Sequence, residues 1–279
     1  MRDLARLPLN AIAFAAKYGP WAIIAGASEG TGECYARELA EMGLNLVLVS
    51  RRKDALAALG EKLKAEFGIA YRAVVQDLTE DGAGLAIVNA ASDLDVGLYI
   101  SNAGADNFAR FFEDGTAGAH RLVRMNIITL VDASNGFGQR FLERGQDGKG
   151  RGGLIIMASG AGLGGQPNLA MYSATKAFEI NFGESLWAEY AERGIDVIAV
   201  AAPMMATPML LRTVPEGFDI SSAYDPADVT HNALAGLLEG VPIQIIPDGP
   251  DQEKQPQVEA DRKARLVGFV EFNKQFAKG

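Results

Sequence analysis

The chain of 279 residues is long enough to bury a full core within one domain, and its 48% apolar and 22% charged content is that of a globular protein. With 26 Lys and Arg against 35 Asp and Glu, the net charge is −9 and no basic block stands out, which argues against nucleic acid or an anionic membrane surface as partner. No run reaches the ~20 apolar residues of a membrane span, and the single cysteine, Cys34, excludes an internal disulfide, so a reducing cytoplasm is the expected compartment.

Residues 1–18 read as an amphipathic helix packing on the body. Their run Leu7 to Ala16 ends like a secretory signal, but Asp3 and Asn10 interrupt that pattern. Strand-like and helical patterns then alternate. Strands are predicted over 21–25, 45–50, 71–76, 96–101, 154–159, 196–201 and 243–246, with helices over 32–42, 54–67, 81–92, 116–143, 170–193 and 226–239. The alternation predicts right-handed βαβ units and a largely parallel sheet with helices on both faces. Several strands are apolar on both faces, as such a sheet requires, and Pro242 marks the last as an edge strand. Residues 145–153 read as a charged, Gly-rich surface loop. Residues 203–225 are long for a connection and read as a substrate loop, and 248–279 form a C-terminal extension with Leu266, Phe269, Val270 and Phe276 as a helical stripe. Cys34 reads as a buried small apolar residue.

Between the first strand and the first long helix lies Gly26-Ala-Ser28-Glu29-Gly30-Thr31-Gly32. Three glycines there permit a tight turn and a close backbone approach to a phosphate, and the helix N-terminus adds free amides and a positive dipole end. The spacing differs from the Gly-x-Gly-x-x-Gly of many dinucleotide sites. In open α/β sheets ligands sit beyond the carboxyl ends of the strands. Ser50-Arg51-Arg52, Asp77-Leu78 and Asn102-Ala103-Gly104 follow the next three strands.

Tyr172 and Lys176 are four residues apart in a helix-forming run, hence on one face. An ammonium one turn from a phenol favours the phenolate and brings it toward useful proton transfer at neutral pH. Alone, the pair is an ordinary helix-surface motif. Ser159 lies thirteen residues before Tyr172, after the apolar run ending at Ala158.

The glycine spacing, Asn102-Ala103-Gly104, Asn126, Ser159 and Tyr172-x-x-x-Lys176, in that order, resembles the short-chain dehydrogenase/reductase family from about Gly19 to Pro247. Tyr18-Gly-Pro-Trp-Ala22 looks most like the branch of steroid and long-chain acyl ketoreductases. The resemblance implies a single-domain, doubly wound Rossmann fold with a seven-stranded, mostly parallel sheet. It implies a homodimer or homotetramer built through the helices holding Asn126 and Tyr172. It also implies that Asp77 contacts the adenine amine, that Pro203 and Thr207 meet the nicotinamide carboxamide, and that Asn126 positions a water relaying protons to Lys176.

A carboxylate at the end of the second strand bonds the NAD ribose, whereas an Arg accepts the extra phosphate of NADP. Ser50 stands in the acid's place and Arg51 follows, so NADP(H) is favoured over NAD(H). Glu29 opposes this by repelling a phosphate. The plain alternative makes Arg51 and Arg52 a solvated helix start.

In the reductive direction Tyr172 would protonate the developing alkoxide, Ser159 would hydrogen-bond the same oxygen, and Lys176 would tune Tyr172 and hold the nicotinamide ribose. Met204, Met205 and Met209, with Leu163 and Leu169, suggest a bulky hydrophobic ketone or secondary alcohol as substrate. His120 and His231 lack ligand-spaced partners, and no metal site is expected. The alternatives are a catalytically silent NAD(P)-binding sensor or scaffold, and an epimerase or dehydratase on the same fold.

Overall fold

The computed structural model describes residues 1–105, 108–145, 150–246 and 255–273. Its seven strands are β1 Trp21–Ala25, β2 Asn45–Ser50, β3 Tyr71–Val75, β4 Val96–Ser101, β5 Gly152–Met157, β6 Ile195–Ala201 and β7 Ile243–Ile245. They form one sheet in the order β3-β2-β1-β4-β5-β6-β7. Among the described residues every pairing is parallel, and no antiparallel strand qualifies the expected sheet. The period of two along a strand explains the double-faced apolar runs. Ile24, Leu48, Leu98 and Ile155 face one apolar cluster with Phe14, Tyr18 and Leu39. Their neighbours Ile23, Val47, Tyr99 and Ile156 face the other, with Ile87, Phe137 and Phe141.

The helices are α1 Ala11–Tyr18, α2 Thr31–Glu41, α3 Lys53–Phe67, α4 Ala83–Ala90, α5 Phe111–Asp114, α6 Ala117–Val123, α7 Thr129–Glu143, α8 Ala170–Tyr190, α9 Pro208–Thr213, α10 Pro226–Leu238 and α11 Gln255–Asn273. Chain order reverses between β1 and β4, which leaves a crevice at their carboxyl ends. None of the described helices is long and apolar enough to cross a membrane.

Several local expectations change. The helix predicted over 1–18 shrinks to Ala11–Tyr18, because Pro8 disfavours helix before it and Asn10 caps the start, accepting from the Ala13 amide at 3.0 Å. The preceding segment is strapped to α10 instead. Asn232 accepts from the Leu7 amide at 2.8 Å and donates to the Ala5 carbonyl at 2.9 Å. His231 packs between Glu38 and the Leu7 carbonyl.

The helix predicted over 116–143 holds a π-helical turn, Arg124–Ile128, between α6 and α7. The glycines predicted to end a surface loop open β5. A Cβ on Gly152 would come within 2.3 Å of the Phe141 ring, and one on Gly153 within 2.8 Å of the Tyr18 ring. They are glycine for close packing, not for mobility. Residues 146–149 of that loop lie outside the described residues. Cys34 is half-buried, and burial pushes its thiol up to about 11.

The C-terminal stripe is not fully buried: Phe269 is 57% exposed, and Phe276 lies outside the described residues. What docks α11 is polar. Arg262 forms a bidentate pair with Glu184 of α8 at 2.7 Å, and Glu259 accepts from the Ile245 amide at 2.7 Å.

Candidate active site

The glycine turn is built by close approach. Gly26 has φ +81° and Gly30 φ +59°, values an L side chain rarely adopts. A Cβ on Gly26 would lie 2.8 Å from the Ala103 Cα, and one on Gly32 only 2.0 Å from the Gly26 carbonyl oxygen. Asn102 clamps the turn from β4: its Nδ2 donates to the Gly26 carbonyl at 3.1 Å, and its Oδ1 accepts from the Thr31 hydroxyl at 2.6 Å. A cavity of about 430 Å³ opens here, lined by Gly26, Ser28, Glu29, Gly30, Thr31, Ser50, Arg51, Arg52, Leu78, Asn102, Ala103, Gly104 and Thr207.

Of the expected cofactor residues, Pro203, Tyr172 and Lys176 face an adjoining cavity, and Gly32 and Asp77 line neither. Gly32 is buried beneath the turn it permits. Asp77 is folded into its own loop, its Oδ1 accepting from the Thr79 amide and hydroxyl at 2.9 and 2.8 Å. Gln76 lines the wall beside it.

The charges differ from the sequence expectation. Glu29 does not face the cavity as a bare anion. Its carboxylate accepts from Arg212 of α9 and from Arg52, and these bonds hold it below the usual carboxylate range despite partial burial. Arg52 also forks onto the Ser28 hydroxyl at 2.9 and 3.0 Å. Arg51 is freer, 66% exposed and 3.6 Å from Asp77. Sequence reading missed Arg212, for which no local signal exists.

A second cavity of about 820 Å³ adjoins the first, and Ser159, Tyr172 and Lys176 all face it. All five expected substrate residues, Leu163, Leu169, Met204, Met205 and Met209, line it, as do Pro203 and Thr207. Ile245 and Ile246 join them, as does Val258 of α11 in the C-terminal extension. The loop over 203–225 is tied at its ends, Tyr224 bonding the Met204 carbonyl and Ala206 the Tyr224 carbonyl, each at 2.9 Å. Thr207 caps α9, accepting from Leu210.

Ser159 caps a short helical turn, its Oγ accepting from the Ala161 amide at 3.2 Å. That bond occupies a lone pair and leaves the hydroxyl proton free to donate into the cavity. Asn126 is buried at the π-helical turn, a distortion frequent at functional sites. Its Nδ2 donates to Thr175 Oγ1 at 3.0 Å, and its Oδ1 is a buried acceptor without a partner among the described residues.

Lys176 Nζ lies 5.8 Å from the centre of the Tyr172 ring. It donates to the Met157 carbonyl at 2.8 Å and to both oxygens of Glu179 at 3.1 and 2.8 Å. Gly104 keeps the backbone open above it, since a Cβ there would lie 3.4 Å from Nζ. Burial works against the lysine's charge, but Glu179 and Tyr172 more than offset it, and Lys176 stays cationic. Among the described residues no group of three or more His, Cys, Asp or Glu is arranged to hold a metal ion.

Comparison with known proteins bears on the family and the fold. The short chain dehydrogenase family model matches residues 20–216, more than half of the chain. The 7beta-hydroxysteroid dehydrogenase of Clostridium sardiniense is 33% identical over 225 residues, covering 80% of this chain and 84% of that protein. The structure of a short-chain dehydrogenase from Sphingobium yanoikuyae in complex with NADPH matches with TM-score 0.77 at 27% identity, over 89% of this chain and 96% of that one. The bulky-bulky ketone specific alcohol dehydrogenase of Comamonas testosteroni matches with TM-score 0.74 at 27% identity, over 90% and 94%. The hydroxysteroid relative agrees with the branch expected from the residues ahead of the glycine turn. By the span of the family match and the identity of this relative, the chain belongs to the short-chain dehydrogenase/reductase family of oxidoreductases.

Proposed function

We propose that this chain is an NADP(H)-dependent oxidoreductase that interconverts a hydrophobic ketone and its secondary alcohol, with Tyr172 as general acid and base. The observation that carries the reading is continuity. The glycine cradle and the face bearing Ser159, Tyr172 and Lys176 open into adjoining cavities that share Thr31, Asn102, Gly104 and Thr207 as lining. The cradle fits a dinucleotide because any Cβ at Gly26 or Gly32 would meet backbone atoms.

When bound, the nicotinamide supplies or accepts the hydride. The turn Gly26 to Gly32 would hold the pyrophosphate, Asn102 to Gly104 the central portion, and Pro203 and Thr207 the carboxamide end. Tyr172 donates its phenolic proton to the substrate oxygen as that oxygen gains charge. Ser159 donates a second hydrogen bond to the same atom. Lys176 stabilises the phenolate left behind, and the buried Oδ1 of Asn126 is suited to hold a water of the proton path. The apolar lining by Leu163, Leu169 and the three methionines fits a bulky substrate, as do the names of the hydroxysteroid and bulky-ketone relatives. Association of two or four copies and a cytoplasmic setting belong to the same reading.

The phosphate preference rests on Arg51, the least engaged guanidinium at the cavity rim. Arg51→Ala is expected to lower kcat/KM with NADPH about ten- to hundredfold, the value of one charge-assisted contact, and to leave NADH turnover unchanged. Equal losses with both cofactors would remove the assignment. The whole reading is tested by following NADPH and NADH oxidation against ketones graded from small and polar to polycyclic. Turnover with NADPH on the bulky members is expected. NADPH binding with no turnover on any member would favour a sensor.

A further inference from the structure

Lys176 is held by a residue that the proton chemistry described above leaves unused. Glu179 lies one turn further along the same face of α8, and both side chains are only 4% exposed. On the next turn Gly183 packs against Ala199 and Ile156, so the carboxyl faces the protein interior rather than solvent. A buried carboxylate with a single cationic partner is costly and persists only where its geometry is good. Here it is bidentate on Nζ. With the Met157 carbonyl, the two Glu179 oxygens give Nζ three acceptors in the protein.

We propose that Glu179 is a positioning residue for the catalytic lysine: it anchors Nζ beneath Gly104 and, by cancelling part of the ammonium charge, keeps Tyr172 in its proton-donating form and extends ketone reduction to higher pH. The inference rests on Tyr172 being the proton donor. An ammonium alone draws the phenol toward phenolate, and an anion in contact with that ammonium weakens the pull. Burial, opposed by Lys176, pushes Glu179 up to about 7, so its effect on Tyr172 strengthens as pH rises through neutrality.

Other charges packed around α8 are engaged elsewhere. Arg262 and Glu184 pair with each other, Glu259 meets the Ile245 amide, Asp196 of β6 is tied to Lys17 and Tyr18, and Arg124 pairs with Asp81. His120 and Arg121 of α6 are exposed.

The test is Glu179→Gln, which keeps the size and an oxygen for Lys176 while removing the charge. The first readout needs no turnover. It is the ultraviolet difference titration of tyrosinate, with NADP+ present, in the protein and in Glu179→Gln, each referenced to the same protein also carrying Tyr172→Phe. Ionisation of Tyr172 is expected about one pH unit lower in the variant, a tenfold change in its equilibrium. The second readout is the pH profile of kcat/KM in both directions on a ketone and alcohol pair. The reductive profiles should coincide below about pH 7, where Glu179 is protonated, and diverge above it. The variant's alkaline limb in reduction should fall earlier, and the rising limb of its alcohol oxidation should move to lower pH by the same amount.

Unchanged Tyr172 ionisation, or a uniform loss of rate with an unmoved profile, would overturn the proposal and leave the reductase reading standing. A shifted titration with no turnover on any ketone would support the coupling and refute the reductase reading. If Glu179→Gln does not fold, Glu179→Asp, which retracts the charge from Lys176, goes through the same titration. A smaller shift in the same direction supports the proposal, and none overturns it.

Discussion

Tyr172→Phe is expected to lower kcat for ketone reduction by about 10²- to 10⁴-fold, the usual contribution of a positioned general acid, and to change NADPH affinity by less than about twofold. The two effects separate because the hydroxyl and the ring do different work. Tyr172 is half-buried on the wall of the second cavity, so the phenylalanine ring keeps the packing while the proton donor is lost. Lys176 remains anchored by Met157 and Glu179, neither of which depends on the phenol. The glycine cradle, on another edge of the site, is untouched. Ser159 still donates to the substrate oxygen, so a residual rate above the uncatalysed reaction should survive. Steady-state kinetics alongside fluorescence titration of NADPH measures both quantities. A variant within tenfold of the parent kcat would refute the proton role, and a matching collapse of cofactor affinity would show a structural one.

The other large effect is expected at Gly32. Its Cβ would lie 2.0 Å from the Gly26 carbonyl oxygen and 2.8 Å from the Ala27 Cα, both backbone atoms, so no flexible side chain can yield. Gly32→Ala must open the turn that Asn102 clamps, and the amides converging on a phosphate lose their alignment. NADPH affinity should fall at least about a hundredfold, equivalent to a few charge-assisted hydrogen bonds. Gly268→Ala in α11 is the matched control, since a Cβ there meets nothing within 4 Å. Its affinity should not change, and its thermal stability should hold or rise slightly, as Ala is the better helix former. Cofactor binding by Gly32→Ala within tenfold of the parent would mean that the turn does not hold the phosphates.

Much of this was legible in the residues. Alternation of apolar runs with 3.6-period segments marked all seven strands and the crossover helices, because side-chain period is a local property. The same locality put Tyr172 and Lys176 on one face of α8 and the glycines at the carboxyl end of β1. Where reading erred, contacts distant in sequence had intervened. Gly152 and Gly153 read as loop, yet Phe141 and Tyr18 require glycine there. The N-terminal residues read as helix, yet Asn10 stops the helix and Asn232 strips the segment away. Glu179 was visible as a carboxylate three residues after Lys176, but i, i+3 pairs are commonplace on solvated helices, and only burial makes this one matter.

The sequence by itself determined the order of the elements, the parallel sheet and the chemistry of the groups at its carboxyl edge, since each follows from spacing within a few residues. The tertiary structure alone decided the electrostatics. Arg212, 183 residues from Glu29, neutralises the acid of the glycine turn, and Val258 of α11 comes to line the second cavity. Burial sets the charge state of Glu179. Charge and solvation depend on what surrounds a group in space, and a chain read in order carries no record of that.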